Sequence, residues 1–331
     1  MAQRCSRRSL LRGVGTVGTV GVAGLAGCIA GGTSARASVL SAGSLAVLLA
    51  DRVGPAFERR TDLGFRAEFH GSAALLRMVT QGQRRPDAVI SADATLLRKQ
   101  LFPDFATWDV VFASNALVIT YNPQTGVGRR LAAGEAWYDV LRDADAKIAR
   151  SDPALDPLGY RTLMLFDLAE RHYGVNGLAA DLREGTIVDP KESHLLAAVG
   201  TGDRAAAVTY RNMAQSHGLP HVPLPAAIDL SDPDHAAFYA TVTVTLPDGT
   251  TVTGRPILYG LTVPETAGNA RAGRRFASFL LDQPDLLTDG GLVVPAALPR
   301  AHGDVPEAVL PDGDVPEAVL PDGDVQTEVH Q

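Results

Sequence analysis

Two serines stand in equivalent places along the chain. Ser44 follows Gly43 after the apolar run Ser38-Val39-Leu40, and Ser72 follows Gly71 after the run 65–69. Each reads as a strand-to-helix turn, where a hydroxyl can cap a helix by accepting from its first N–H groups. Two such turns on neighbouring strands can do more. Their hydroxyls, free N–H groups and positive helix ends would converge, which makes an anion site without a formal cation. Fixed donors in a dry site suit a fully desolvated anion. Other chemistries lack their residues. The chain has no Gly-x-Ser-x-Gly elbow, no His-Glu-x-x-His and no phosphate-loop Gly-Lys-Ser/Thr. Its eight histidines are scattered, and only His70 stands beside one of these serines. Ser72 with His70 and Asp93 is the single set that could assemble a secreted serine hydrolase.

The elements that would position these serines follow from periodicity. Leu45, Leu48, Leu49 and Val53 share one helical face after Ser44, as do Leu75, Leu76 and Val79 after Ser72. Ala88-Val89-Ile90 is a third strand, ending at Ser91-Ala92-Asp93 before a further helix. Strand, small-residue turn and helix, repeated three times, predict a parallel sheet in an α/β domain. Ligands of such sheets sit beyond the carboxyl ends of the strands, where the serines fall. Further on, Asp152-Pro153 and Asp156-Pro157 punctuate a loop before a helix over 160–173. A helix over 195–199, a strand over 206–210, and a hairpin turning at Pro247-Asp248-Gly249 follow. A buried strand over 257–263 and a helix over 270–281 complete the pattern. The expectation is two α/β lobes with the chain crossing between them more than once.

Composition bounds the partners. The 331 residues carry 30 Lys+Arg against 37 Asp+Glu, a net charge of −7, with 46% hydrophobic residues. Only Lys99, Lys147 and Lys191 supply lysines, so no patch suits nucleic acid. Both cysteines, Cys5 and Cys28, lie near the N-terminus, which excludes a cysteine-based zinc site or disulfide framework in the body. Ser6-Arg7-Arg8-Ser9-Leu10-Leu11-Arg12 reads as a twin-arginine export signal with an apolar stretch behind it. Gly13-x-Gly15-x-x-Gly18 follows no strand, so it is not a dinucleotide fingerprint. Leu25-Ala26-Gly27-Cys28 resembles a lipobox, with cleavage before Cys28 and lipid on its thiol. The expected layout is a signal peptide over 1–27, a lipid-anchored tether over 28–37, a two-lobed domain over 38–303, and a tail over 304–331. In that tail the decapeptide 304–313 recurs unchanged at 314–323, an acidic Pro/Gly composition that reads as disordered.

Several motifs, in order, resemble one family. They are Ser41-Ala42-Gly43-Ser44-Leu45, His70-Gly71-Ser72-Ala73-Ala74, Ser91-Ala92-Asp93, Asp156-Pro157-Leu158-Gly159-Tyr160-Arg161 and Pro190-Lys191-Glu192. Together they are similar to the archaeal-type molybdate/tungstate-binding proteins of ABC importers, over roughly residues 38 to 300. The resemblance implies an α/β, two-lobed, periplasmic-binding-protein-like fold of type II with its ligand cleft between the lobes. It also implies a monomeric, lipid-anchored, extracytoplasmic protein without a cofactor, which hands molybdate or tungstate to a membrane permease. Ser44 and Ser72 would donate from hydroxyls and amides, Ala92 from its amide, and Tyr210 from its phenol. Asp156 and Glu192 would complete an octahedral shell on the metal atom of the oxyanion. A carboxylate about 4 Å from a dianion costs roughly 8 kcal/mol at an effective dielectric near 20. Direct bonding to the metal, or a retained proton, makes that tolerable. Molybdenum and tungsten can expand beyond four oxygens, whereas sulfur and phosphorus resist it, so the carboxylates would discriminate against sulfate and phosphate. The segment between Tyr173 and Pro190 is shorter than in that family, and the C-terminal repeats have no counterpart there. Binding of another oxyanion or of a small organic acid is the alternative within the same class.

Overall fold

The computed structural model describes residues 35–142, 148–189 and 192–310, with backbone alone at Glu192 and Ser193. The export signal, Cys28, Pro190, Lys191 and residues 311–331 lie outside the described residues. The first lobe opens with strands β1 (Arg36–Ala42), β2 (Gly64–His70), β3 (Ala88–Ser91) and β4 (Trp108–Ser114). β1 therefore starts two residues before the expected domain edge at 38. It pairs in parallel with β2 and β3, with Ala42 opposite His70 and Leu40 opposite Val89. The turns after all three strands consequently leave the same edge of the sheet. After β1 the chain passes through a tight turn (Gly43–Leu45) into a helical run ending at Arg60. That run buries Leu45, Leu48, Leu49 and Val53, as their spacing predicts.

From β4 the chain crosses through Asn115 and Ala116 into the second lobe. This sheet contains β5 (Leu117–Tyr121), β6 (Ile148–Ser151), β7 (Thr186–Asp189), β8 (Ala206–Tyr210) and β9 (His221–Pro223), in the order β7-β6-β8-β5-β9. β6 runs parallel to β7 and β8, and β5 runs antiparallel to β8 and β9. The predicted hairpin is present as β10 (Thr243–Thr245) and β11 (Thr251–Thr253), its turn closed by Gly249 at φ +84°. The chain then returns to the first lobe as β12 (Leu258–Thr262) and β13 (Arg300–Gly303).

This return alters one expectation. β12 inserts antiparallel between β3 and β4, so the first sheet, ordered β13-β4-β12-β3-β1-β2, is mixed and not purely parallel. A strand arriving from the other lobe enters from the opposite end, which fixes its direction. Where the chain leaves the second lobe, Leu230 is fully buried at φ +61°, a left-handed backbone that disfavours a γ-branched residue by about 1–2 kcal/mol. The carbonyls around it tie the crossings together. Asp229 O accepts from Leu117 N–H, Leu230 O from Ile257 N–H, and Ser231 O from Ser114 Oγ.

The tail boundary is also corrected. Residues 304–310, expected to be disordered, are folded onto the first lobe through a short turn over Glu307–Val309. Val309 is fully buried against helix Ala270–Leu281, with Val305 and Leu310 packed beside it. An acidic Pro-containing segment that carries three apolar side chains can hold to a core that already exists, although it could not build one.

Candidate functional site

Ser44 and Ser72 emerge side by side because β1 and β2 end in register. Neither caps a helix, which corrects the capping expectation. Ser44 lies inside the tight turn, and Ser72 is the first residue of helix Ser72–Thr80, with Gly71 before it at the cap. Both hydroxyls are thereby left for other partners. Ser72 Oγ accepts the Ala92 N–H at 3.0 Å, so its own proton points elsewhere while the Ala92 amide is engaged within the protein. Ser44 Oγ lies 2.9 Å from Tyr259 Oη. At the start of helix Ser72–Thr80 the first N–H groups have no carbonyl one turn back, which leaves them as donors facing the same edge.

The second lobe supplies the opposing wall. Asp156 caps helix Pro157–Tyr173, its Oδ1 accepting from Leu158 N–H at 2.7 Å and Gly159 N–H at 3.3 Å. Gly159 allows this cap, since a Cβ there would lie 2.4 Å from the backbone of Asp152 and Pro153. Burial pushes the Asp156 carboxyl up to about 6, against the opposing pull of those two amides. Tyr210 ends β8. Ser44, Ser72, Ala92, Asp156 and Tyr210 line one small cavity of about 10 Å³, walled further by Gly43, Gly71 and Pro157. All five are at most 8% exposed. The lobes meet closely here: a Cβ on Gly71 would sit 2.9 Å from Leu155 O and 3.2 Å from Asp156 Cβ. Glu192 begins helix Glu192–Thr201, and its side chain lies outside the described residues.

Behind this wall stands a charge cluster that the sequence reading did not assign. Asp93 Oδ2 accepts from Tyr160 Oη at 2.9 Å, Arg255 Nη2 at 2.8 Å and Arg161 Nη2 at 3.5 Å. Its Oδ1 caps helix Ala94–Leu101 through Leu96 N–H. Burial alone would raise Asp93; the Arg255 and Arg161 guanidiniums reverse this and hold it well below the usual carboxylate range. Arg161, only 2% exposed, donates through Nη1 to Tyr210 Oη at 2.7 Å. Burial disfavours its charge, but Tyr210, Tyr160 and Asp93 more than offset that, so it stays cationic. No Lys or Arg lines the cavity itself, and the Arg161 guanidinium stands a single phenol away from it. Asp93, Tyr160 and Arg161 all fall within the motifs quoted above. An arginine five residues past a helix cap was the available signal.

The hydrolase arrangement is not formed. His70 Nε2 pairs with Glu68 Oε1 at 2.8 Å, Glu68 also holds Arg84 at 2.9 Å, and Asp93 faces its two arginines. Among the described residues, no group of three or more His, Cys, Asp and Glu gathers to hold a metal ion.

Two mixed α/β lobes, joined by tied crossings and enclosing a small cavity, together with the family match given next, make this a solute-binding protein, a component of transport and not an enzyme. The chain belongs to the bacterial extracellular solute-binding protein family, whose pattern matches residues 37–284. It is 50% identical over 279 residues to an uncharacterized solute-binding protein of Halobacterium salinarum, across 84% of this chain and 90% of that relative. It is 43% identical over 306 residues to a Haloferax volcanii protein provisionally named as an ABC transporter molybdenum-binding protein, across 92% of this chain and 97% of the relative. In fold it is similar to the periplasmic molybdate-binding protein of Azotobacter vinelandii, with a TM-score of 0.58 and 16% identity over 78% of this chain and all of that one.

Proposed function

We propose that this chain captures molybdate or tungstate outside the membrane and delivers it to the permease of an ABC importer. The observation that carries this reading is the meeting of Ser44 and Ser72 from one lobe with Asp156 and Tyr210 from the other around one cavity. Its free volume, about 10 Å³, is far below the roughly 300–1,000 Å³ typical of clefts for organic ligands, which favours a small ion. Hydroxyls, helix-start N–H groups and the Arg161 guanidinium behind Tyr210 favour an anion. A buried carboxylate in such a place repels a dianion unless its oxygen bonds the central atom. Molybdenum and tungsten permit that bond. Glu192 is the second carboxylate in this reading, and closure of the lobes brings both halves of the shell together. Twin-arginine export, a signal peptide over 1–27, lipid on Cys28, a tether leading into the domain and a monomeric state belong to the same proposal.

A second reading draws on Asp156 alone. A carboxylate that accepts a hydrogen bond could serve a monoprotonated oxyanion such as hydrogen phosphate, which carries a proton to give. Calorimetry of the mature protein with tungstate, molybdate, sulfate and phosphate at neutral pH separates the two. Tight tungstate and molybdate with weak sulfate and phosphate is the expected result. Sulfate held as tightly as tungstate would overturn direct bonding to the metal, and phosphate held most tightly would favour the second reading.

A further inference from the structure

A closed ring of hydrogen bonds starts and ends at Ser44. Asn212 Nδ2 donates to Ser44 O at 2.6 Å, and Asn212 Oδ1 accepts from Asn115 Nδ2 at 2.8 Å. Asn115 Nδ2 also donates to Tyr259 Oη at 3.0 Å, and Tyr259 Oη lies 2.9 Å from Ser44 Oγ. Asn115, Asn212 and Tyr259 are fully buried and Ser44 nearly so. The amide orientations are fixed by what surrounds them. Asn115 Oδ1 accepts the Ala116 N–H at 2.9 Å, so a reversed Asn115 amide would set donor against donor. Asn212 is fixed from both ends in the same way.

The members of this ring come from different bodies. Asn115 lies in the first crossing between the lobes. Asn212 follows Tyr210 by two residues, in the helix Arg211–Ser216 that continues from β8 of the second lobe. Tyr259 lies on β12, just after the return crossing, and Ser44 lies in the turn after β1. The neighbouring crossing contains the left-handed Leu230 and its three carbonyl ties, a backbone of the kind that hinges use to hold a discrete change of direction. A buried ring of this sort is satisfied only when all its bodies are in place together, and a broken member leaves a buried amide or hydroxyl without a partner.

We propose that Asn115, Asn212 and Tyr259 are positioning residues that couple the alignment of Ser44 to the approach of the two lobes, so that tight oxyanion retention requires the closed hinge. This rests on the oxyanion reading above. Asn212 fixes the Ser44 carbonyl, and hence the plane of its peptide, while Tyr259 fixes the hydroxyl. Opening at the crossings shifts Asn212 and Asn115 against Ser44 and releases both constraints at once. The ligand's donor is thereby loosened as the cleft opens, which speeds release to a partner that pulls the lobes apart.

The test is stopped-flow and calorimetric tungstate binding by the full mature protein and three variants. Tyr259→Phe removes one ring atom and keeps the shape, and Asn115→Ser removes the amide's bonds to both Asn212 and Tyr259. Thr262→Val is the control: it deletes a buried hydroxyl on the same strand, one that bonds Trp108 O and not a member of the ring. Tyr259→Phe and Asn115→Ser should each raise Kd about tenfold or more, chiefly through a faster dissociation rate. Thr262→Val should lower the melting temperature and leave Kd within about twofold. Ring variants that melt lower yet retain wild-type Kd and dissociation rate would overturn the inference, as would equal weakening by Thr262→Val. If Tyr259→Phe does not fold, Asn115→Ser decides. A wild-type protein that binds no oxyanion of the panel overturns the oxyanion reading and this inference with it, whereas binding untouched by the ring variants overturns this inference alone.

Discussion

In its proposed role, Asp156 pits stability against function within a single side chain. Its folded carboxyl titrates near 6, above the ordinary 3.8, because it is buried. The folded state therefore holds this proton more firmly than the unfolded chain does. Its stabilising contribution is complete below about pH 4 and is lost as the pH rises through 6. At neutral pH the ionised carboxylate costs the ligand-free protein about 3 kcal/mol. Asn keeps the cap while removing the charge. Asp156→Asn should thus raise ligand-free stability at pH 7.5 by as much as about 3 kcal/mol, with the gain vanishing near pH 4, as thermal melts across that range will show. The same variant should lose tungstate affinity by at least tenfold in calorimetry. Wild-type affinity should itself fall as the pH drops through 6 and the carboxylate takes up its proton. The turn serines were legible because a Gly-Ser step after an apolar run is a local signal. Arg161, Asn115 and Tyr259 were not, since what each does depends on distant partners: Ser44 and Tyr259 are 215 positions apart, and Arg161 and Asp93 are 68.

The elements were easier to read than their neighbours in space. The helix over 270–281 coincides with its predicted span, and the helix predicted over 160–173 begins three residues earlier, at Pro157, where Asp156 caps it. The apolar runs that form β4 and β5 are separated only by Ser114-Asn115-Ala116, a weak turn signal. With no Gly or Pro between them, the point where the lobes divide is nearly silent in the sequence. Nor could periodicity show that β12 would enter between β3 and β4, because an alternating face is the same read in either direction. The approach of the loop before helix Pro157–Tyr173 to the turn at Gly71 gives a clean test at this scale. Gly71 has φ −59° and ψ 140°, which any residue adopts, so only space forbids a side chain there. Gly71→Ala should leave the melting temperature within about 2 °C of wild type if the lobes part slightly. It should weaken tungstate binding about tenfold or more, because the two halves of the proposed shell would no longer meet; calorimetry and melting together check both.

For the whole molecule, the two large sheets of the described residues are linked covalently only through the crossings. Residues 304–310, the first seven of the C-terminal decapeptide, belong with the folded body. Truncation after Leu310 should therefore leave the melting temperature unchanged. Truncation after Gly303 uncovers the seat of Val309, and burying a Val side chain is worth about 1.5–3 kcal/mol, so this shorter chain should melt several degrees lower. Tungstate affinity should be the same in both. Composition showed that the repeated segment could not fold alone, but it could not show that a surface beside helix Ala270–Leu281 would accept one copy.

That seat has a consequence for how the chain can change over generations. Losing residues 304–313 joins Gly303 to Asp314, and the next ten letters are the same ten letters. Gaining another unit has no effect on them either. A slip of one repeat during copying of the coding sequence thus alters the length of the chain and leaves the residues that reach helix Ala270–Leu281 unchanged. The folded body is buffered against repeat-number variation at its own C-terminal edge, and tail length is free to drift under whatever selection acts on the part beyond.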